Sequence, residues 1–280
     1  MNARVMAAMM PILLLAGCST ASPATTPTSP ATKGAGVQIV VIGDSLADTA
    51  NHCPGCTGFL ETFRDHIEES LGASAEATLL LGMTIPDAQS MVASDEKARQ
   101  VIADADVIIV QTGFNNVIPD PTTGIGCGGS LDGGVDVWVS TTTTECLDAG
   151  VATYGDLYQD MLNQLKELRD GKSTVVVVMN TVDGNIAPDD PNGMLAYFQP
   201  DKQEWAKQWT VEQYERWNAM LADEARAAGA SLVDLYHAFN GPDGTTPFGS
   251  LSVDGAHPSQ EGNDLIARML AEVDLSTLTG

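Results

Sequence analysis

The stretch that decides the fold is Val37–Ile42 (VQIVVI), which runs directly into Gly43-Asp44-Ser45-Leu46. A short apolar run without strict alternation is typical of a strand that is buried on both faces of a parallel sheet. The Gly-Asp-Ser sequence ends the run at a turn, so Ser45 follows the carboxyl end of the strand. Sites in open parallel sheets lie at that edge. Ser45 is therefore the first candidate for a functional residue.

Outward from this stretch, apolar runs alternate with segments that have helical periodicity. The other predicted strands are Ala77–Leu81, Val107–Gln111, Thr174–Met179 and Ser231–Leu235. The predicted helices are Gly58–Leu71, Ile85–Ala103, Tyr154–Arg169, Thr210–Ala228 and Pro258–Val273. This alternation predicts a doubly wound α/β fold, a parallel sheet with helices on both faces. The turns at Ser45, Gly82 and Gly113 should then share one edge of the sheet.

A serine hydroxyl needs an adjacent base to act as a nucleophile. The four histidines are His52, His66, His237 and His257. We expect His257 to be the base, because Asp254 precedes it by three residues in Asp254-Gly-Ala-His257-Pro-Ser. The carboxylate can accept the Nδ1–H, fix the tautomer and stabilise the imidazolium. His237 follows the fifth strand in an apolar context and is expected to be buried or at the sheet edge, whereas His52 and His66 have no comparable neighbour.

Acyl transfer also requires donors for the developing oxyanion. The backbone N–H groups of Ser45 and Gly82 and the side-chain amide of Asn115 are the candidates, because all three follow predicted strands. Taken singly, a glycine after a strand also fits ordinary turn geometry, and an asparagine after a glycine fits an ordinary loop.

In combination, four blocks resemble those of the SGNH, or GDSL, family of lipases and esterases, in the family's order. They are Gly43–Leu46, Leu81–Thr84, Gly113–Asn116 and Asp254–Ser259. The resemblance extends from Val37 to about Ala267, and its first and last blocks together are fairly specific.

Two positions depart from the family pattern. Asn116 stands where family members usually have Asp, and Leu80 stands where they usually have Asn. The first departure concerns the loop around Asn115, and the second concerns the glycine block that contains Gly82.

The resemblance implies a flavodoxin-like three-layer α/β/α sandwich with a five-stranded parallel sheet. It implies Ser45, Asp254 and His257 as the catalytic triad, and Ser45, Gly82 and Asn115 as the oxyanion hole. The implied activity is hydrolysis of carboxylic esters or thioesters, of the esterase, lipase or deacetylase type, without a cofactor or metal. Acyl transfer on the same fold and a non-catalytic surface ligand-binding protein stay open as alternatives. The acyl-chain length and the alcohol part of the substrate also stay open.

Residues 1–17 have the features of an export signal, since a short apolar segment ends in Leu15-Ala16-Gly17-Cys18. This ending resembles the lipobox of bacterial lipoproteins, which implies a lipidated Cys18. An ordinary secretory peptide with a coincidental cysteine is the alternative. Residues 18–35 are rich in Ser, Thr, Pro and Ala and are expected to form a disordered tether for a hydrolase domain over 36–280. We therefore expect a protein of the bacterial cell envelope, held by its lipid on the outer face of the membrane or on the periplasmic leaflet.

The formal net charge of -24 opposes binding of nucleic acid and of anionic lipid head groups. It is typical of a well-solvated surface. We therefore expect an ester of a small molecule, lipid or carbohydrate as the partner, and membrane contact through the anchor alone.

The other four cysteines, Cys53, Cys56, Cys127 and Cys146, suggest two disulfides in an oxidising compartment. Four cysteines allow three connectivities; we favour Cys53 with Cys56 and Cys127 with Cys146. A redox-active CxxC is the alternative for the first pair. The surrounding sequence has no thioredoxin-like pattern, so a structural link is favoured.

Two insertions, 117–150 and 182–209, leave from the strand ends where the site is expected, so they are candidates for substrate walls or a lid. Tyr197, Phe198, Trp205 and Trp209 lie in the second insertion, and Trp138 lies in the first. Core packing explains Trp205 and Trp209 at least as well as ligand binding does.

Overall fold

The computed structural model describes residues 36–117, 135–186, 195 and 198–278. Cys18, the segments 1–17 and 18–35, and Cys127 lie outside these residues, as do Tyr197 and the side chain of Trp138. The strands form one five-stranded parallel sheet in the order β2-β1-β3-β4-β5. They are β1 (Val37–Gly43), β2 (Ala75–Leu81), β3 (Val107–Gln111), β4 (Val175–Met179) and β5 (Ser231–Val233). The predicted parallel sheet is confirmed.

Burial along the strands follows their position in the sheet. Every residue of β3, the central strand, is buried. The edge strand β2 has only Ala75 buried, and β5 has only Val233 buried. This difference explains why the central runs in the sequence are continuously apolar and the outer ones are less regular.

Two apolar cores lie on opposite faces of the sheet, and alternate residues of β3 divide between them. Ile108 and Val110 belong to the core that contains Tyr158 and Trp217 from the helices. Val107 and Ile109 belong to the core formed with the other helices, whose members include Phe59, Phe63, Ile266 and Leu270. Helices therefore cover both faces, as the three-layer sandwich requires.

The helices of the described residues that are longer than one turn are α2 (Phe59–Leu71), α3 (Ile85–Ser94), α4 (Glu96–Asp104), α5 (Val135–Thr141), α6 (Thr144–Leu168), α7 (Gln203–Ala228), α8 (Leu235–Asn240) and α9 (Gln260–Ala271); α1 (Thr49–His52) is a single turn. The prediction of one helix over 85–103 was wrong. Asp95 has an extended backbone that ends α3, and its carboxylate accepts hydrogen bonds from Lys97 N and Ala98 N to begin α4. The strand predicted over 231–235 is also too long, because Asp234 caps α8, which starts at Leu235.

The two insertions contact each other through a small apolar cluster that is separate from the two main cores. Its buried members are Val139, Leu195, Phe198 and Ala206, and Trp209 packs against them. Trp209 thus has a packing role. Trp205 is 43% exposed and meets Phe198 only edge-on, with ring centroids 6.1 Å apart.

Among the described residues, no helix combines the length and the apolar character needed to cross a bilayer.

Candidate active site

Three turns that the sequence placed on one edge are neighbours in the structure, because β2, β1 and β3 are adjacent. Backbone and side-chain hydrogen bonds join them. Asp44 N–H donates to Gln111 O at 3.0 Å. Thr112 Oγ1 donates to Gly82 O at 3.0 Å. Ser45, Gly82 and Gly113 therefore follow the carboxyl ends of three hydrogen-bonded strands.

Ser45 begins a short 3₁₀ helix, Ser45–Ala47, directly after β1. The Asp44 carboxylate caps this helix by accepting from Leu46 N at 3.0 Å. A side chain at Gly43 would clash, since a Cβ there would lie 2.6 Å from Ala47 Cβ. The Gly-Asp-Ser sequence thus has a local structural reason: glycine permits the tight turn, and aspartate fixes the turn that presents the serine.

Asp44 is completely buried beside the candidate nucleophile. Its Oδ1 accepts from Leu46 N and, at 3.1 Å, from Gln111 Nε2. Burial raises the pKa of Asp44 to about 6, although these hydrogen bonds oppose the rise. The charge on Asp44, next to Ser45, therefore changes in the weakly acidic pH range.

Asp254 and His257 form the pair that their spacing predicts. His257 Nδ1 lies 2.7 Å from Asp254 Oδ2, and His257 N–H donates to Asp254 Oδ1 at 2.8 Å. Ser252 closes the loop, since its hydroxyl donates to His257 O at 2.9 Å. Burial opposes ionisation of Asp254, but hydrogen bonds from the backbone and ring of His257 lower its pKa. The carboxylate is thus ionised and holds the His257 ring through Nδ1.

The His257 loop lies against the segment that follows Ser45. The His52 ring, at the end of α1, stacks on the His257 ring with centroids 3.7 Å apart and planes 12° apart. Asn263, fully buried in α9, accepts from Thr49 Oγ1 at 2.9 Å and from Phe59 N at 3.0 Å. The sequence predicts no role for His52 or Asn263, because the contacts that connect them to the site join residues far apart in the chain.

The predicted oxyanion donors differ in their availability. Gly82 N–H donates to Gly43 O at 2.9 Å and so continues the sheet ladder. Packing alone also calls for a glycine at this position, since a Cβ there would lie 2.8 Å from the Ala88 backbone. Asn115 is exposed, and its amide donates to Met83 O at 2.7 Å, which uses one of the two amide hydrogens.

Asn116, one of the two departures from the family pattern, has a clear local role. It is buried, and its Oδ1 accepts from Ile85 N at 2.8 Å, at the first residue of α3. A carboxylate would accept the same hydrogen bond. The amide oxygen therefore preserves the helix start that connects the Gly113 turn to the Gly82 turn.

His237 lies at the sheet edge, in α8 shortly after β5, which is one of the two positions that the sequence predicted. Its side chain is 41% exposed, and its Nδ1 lies 2.7 Å from Asp234 Oδ2. Asp234 also accepts from Asn180 Nδ2 at 2.8 Å. The sequence carried the signal, since Asp234 precedes His237 by the same interval that separates Asp254 from His257. The chain therefore contains a second carboxylate–imidazole pair, at the end of β5.

The predicted disulfide between Cys53 and Cys56 is present. It directly follows His52, in the turn between α1 and α2. Cys146 is also disulfide-bonded, and its predicted partner, Cys127, lies outside the described residues.

A cavity of about 260 Å³ adjoins the His257 loop. Its lining includes Asp183, Gly184, Ile186, Phe248, Ser252 and Gly255. Asp183 is fully buried, and burial raises its pKa to about 7. Most of the wall is apolar, so the cavity suits a small apolar group.

Within the described part of the chain, no three His, Cys, Asp or Glu side chains cluster as a metal site.

Comparison with known proteins identifies a family and a fold. Residues 39–270 match the family model for GDSL-like lipase/acylhydrolase. Among curated proteins, none matches the chain significantly.

Two solved structures illustrate the shared fold. The lipase Lip_vut3 from a goat rumen metagenome has 16% identity and a TM-score of 0.60, covering 84% of this chain and 97% of its own. The acetylxylan esterase Axe2 from Geobacillus stearothermophilus has 15% identity and a TM-score of 0.53, covering 86% of this chain and 97% of its own. At these identities the likeness extends to the fold, the α/β sandwich described above.

Proposed function

The chain belongs to the GDSL-like lipase/acylhydrolase family, whose reaction is ester hydrolysis, and on this premise we propose that it cleaves carboxylic esters with Ser45, His257 and Asp254. The observation that carries the proposal is the 2.7 Å contact between His257 Nδ1 and Asp254 Oδ2, in a loop fixed against the segment that follows Ser45. A nucleophile, a base and an orienting acid are the minimum for acyl transfer.

In the proposed mechanism, Ser45 Oγ attacks the ester carbonyl while His257 Nε2 takes the hydroxyl proton. The imidazolium then gives this proton to the leaving alcohol, which leaves an acyl group on Ser45. Water attacks the acyl-enzyme with His257 again as the base, and the acid departs. Asp254 stays ionised throughout and stabilises the imidazolium.

The oxyanion of each tetrahedral intermediate would be bound by the Ser45 N–H and by the Asn115 amide, whose second hydrogen is the donor. Gly82 can contribute only if its N–H leaves the Gly43 carbonyl, to which it donates at 2.9 Å. We therefore assign the larger share to Asn115, because a donor that keeps its existing bond requires no reorganisation.

For the substrate we propose esters of short acyl groups. The cavity beside Ser252 and Gly255 has about 260 Å³ and mostly apolar walls, below the range of about 300–1,000 Å³ that is usual for drug-sized ligands. An acetyl ester, the substrate class that the name acetylxylan esterase gives for Axe2, is consistent with this size.

Labelling by a fluorophosphonate tests the nucleophile. The wild-type chain should react, and Ser45→Ala should not. His257→Ala should react far more slowly. His66→Ala is the matched control, since His66 lies on α2 and pairs with Ser70 on the same helix. Undiminished labelling of Ser45→Ala would refute the assignment.

A series of p-nitrophenyl esters tests the acyl preference. We expect kcat/KM to be highest for acetate or propionate and to fall steeply beyond butyrate. A maximum of kcat/KM at acyl chains of about eight carbons or more, as expected for a lipase, would contradict the short-acyl assignment.

We also propose that Cys18 carries a lipid that holds the domain at the cell envelope. The support is the sequence Leu15-Ala16-Gly17-Cys18 at the end of the apolar segment. Metabolic labelling with an alkyne fatty acid in a bacterial host should label the wild type and not Cys18→Ala. A wild-type chain that is secreted without label would contradict the proposal.

A further inference from the structure

The face of the His257 ring is covered by a second imidazole. His52 and His257 lie with centroids 3.7 Å apart and planes inclined by 12°. The two residues come from distant parts of the chain, one from α1 and one from the loop before α9. The ring edge of His257, which carries Nδ1, is held separately by Asp254. One contact thus fixes the edge of the ring and another fixes its face.

We propose that His52 is a positioning residue, which orients the His257 ring and stabilises its imidazolium form by stacking. This inference rests on the proposed function, in which His257 is the base. In the proposed mechanism the His257 ring gains a positive charge when it takes the Ser45 proton. An aromatic face attracts a cation more strongly than it attracts a neutral ring. The stacking energy therefore increases during the reaction and should appear in kcat more than in KM.

The position of His52 is fixed on both sides. Before it, Thr49 Oγ1 donates to Asn263 Oδ1 at 2.9 Å, which ties α1 to α9. After it, the Cys53–Cys56 disulfide closes the turn. Beyond the disulfide, Thr57 N–H donates to the Gln260 side chain at 2.8 Å, close to the start of α9. These contacts join the α1–α2 segment to the residues that follow His257, so the two rings are held in register.

A positive charge on both rings at once would be unfavourable at this separation, because like charges repel. Asp254 contacts the His257 ring, so its carboxylate stabilises the positive charge that forms on this ring in the proposed mechanism. We therefore assign to His52 the role of an aromatic platform that takes no part in the proton transfer itself.

The test compares four replacements of His52 in the full chain, with p-nitrophenyl acetate as the substrate. His52→Ala removes the ring, and His52→Leu fills the space without an aromatic face. His52→Phe and His52→Tyr restore such a face. We expect Ala and Leu to lower kcat about tenfold with KM changed less than about twofold, and Phe or Tyr to recover most of the loss. His66→Ala serves as the control for loss of a histidine and should match the wild type.

Two outcomes would overturn the inference: full kcat in His52→Ala, or a recovery by Leu equal to that by Phe and Tyr. Ser45→Ala, measured beside them, separates this result from the proposed function. If Ser45→Ala is inactive while His52→Ala is unimpaired, only the role of His52 is wrong. If Ser45→Ala keeps its activity, the proposed function itself fails.

Discussion

Thr49 and Asn263 are joined by a side-chain hydrogen bond of 2.9 Å between the segment that follows the candidate nucleophile and the helix that follows the candidate base. Asn263 is fully buried, and its amide also donates to Ser259 O at 2.8 Å. A single amide thus holds two distant parts of the chain together at the site.

We predict that Asn263→Ala lowers both stability and activity. The change leaves Phe59 N–H and Thr49 Oγ1 without their acceptor, which should cost about 1–3 kcal/mol of unfolding free energy. Urea denaturation and kcat measure the two effects. Gln260→Ala is the comparison, since it removes a more exposed tie to Thr57 and should cost less than about 1 kcal/mol. Equal effects of the two variants would show that the buried amide has no special role.

Asp44 should make the stability of the protein depend on pH. Its pKa is raised from 3.8 to about 6, so the folded state binds the proton more tightly than the unfolded chain does. The stabilisation is fully present below about pH 4 and is lost as the pH rises through about 6, with a total on the order of 3 kcal/mol. Asp44→Asn removes this dependence.

The measurement is the free energy of unfolding of wild type minus that of Asp44→Asn, at several values of pH. The difference should fall between pH 4 and pH 7. Asp183, whose pKa burial also raises, is present in both proteins and cancels from the difference. A difference that is constant over this range would rule out a protonated Asp44 in the folded state.

Asn115→Ala should lower kcat by about 10²–10³, because an oxyanion donor is lost, with KM nearly unchanged. Steady-state kinetics with p-nitrophenyl acetate give both constants. Gln100→Ala is a suitable control, since the exposed Gln100 amide donates to Asp104 Oδ2 at 2.9 Å within α4. A loss that is confined to KM would assign Asn115 to substrate binding and not to the oxyanion.

The double variant Cys53→Ser, Cys56→Ser should be less stable by about 2 kcal/mol, as expected for a very short closed loop. Because the turn follows His52, kcat should also fall. Thermal unfolding and kinetics without reductant measure the two changes. An unchanged kcat in the double variant would contradict this prediction. It is the result expected if the disulfide served only as the catalytic centre of a thiol oxidoreductase.

The sequence predicted those features that depend on neighbours in the chain. Continuous apolar runs identified all the strands of the sheet, and the Asp254–His257 spacing produced the contact that was expected. The break at Asp95 was missed because the residues on either side of it keep a helical pattern, and only the backbone shows that this aspartate is a cap.

Contacts between distant segments were beyond sequence reasoning. Nothing near His52 in the chain indicates that His257 lies above it, and an asparagine in a helix such as Asn263 looks like an ordinary polar residue. Asp234 and His237 are different, since their spacing was visible, but the apolar residues around them suggested a longer strand.

The shared cluster of Val139, Leu195, Phe198 and Ala206 has a consequence for engineering the specificity of this enzyme. Swapping or trimming either insertion alone would leave apolar side chains of the other facing water and invite aggregation. Loop grafts from relatives should therefore exchange the pair together, as one module.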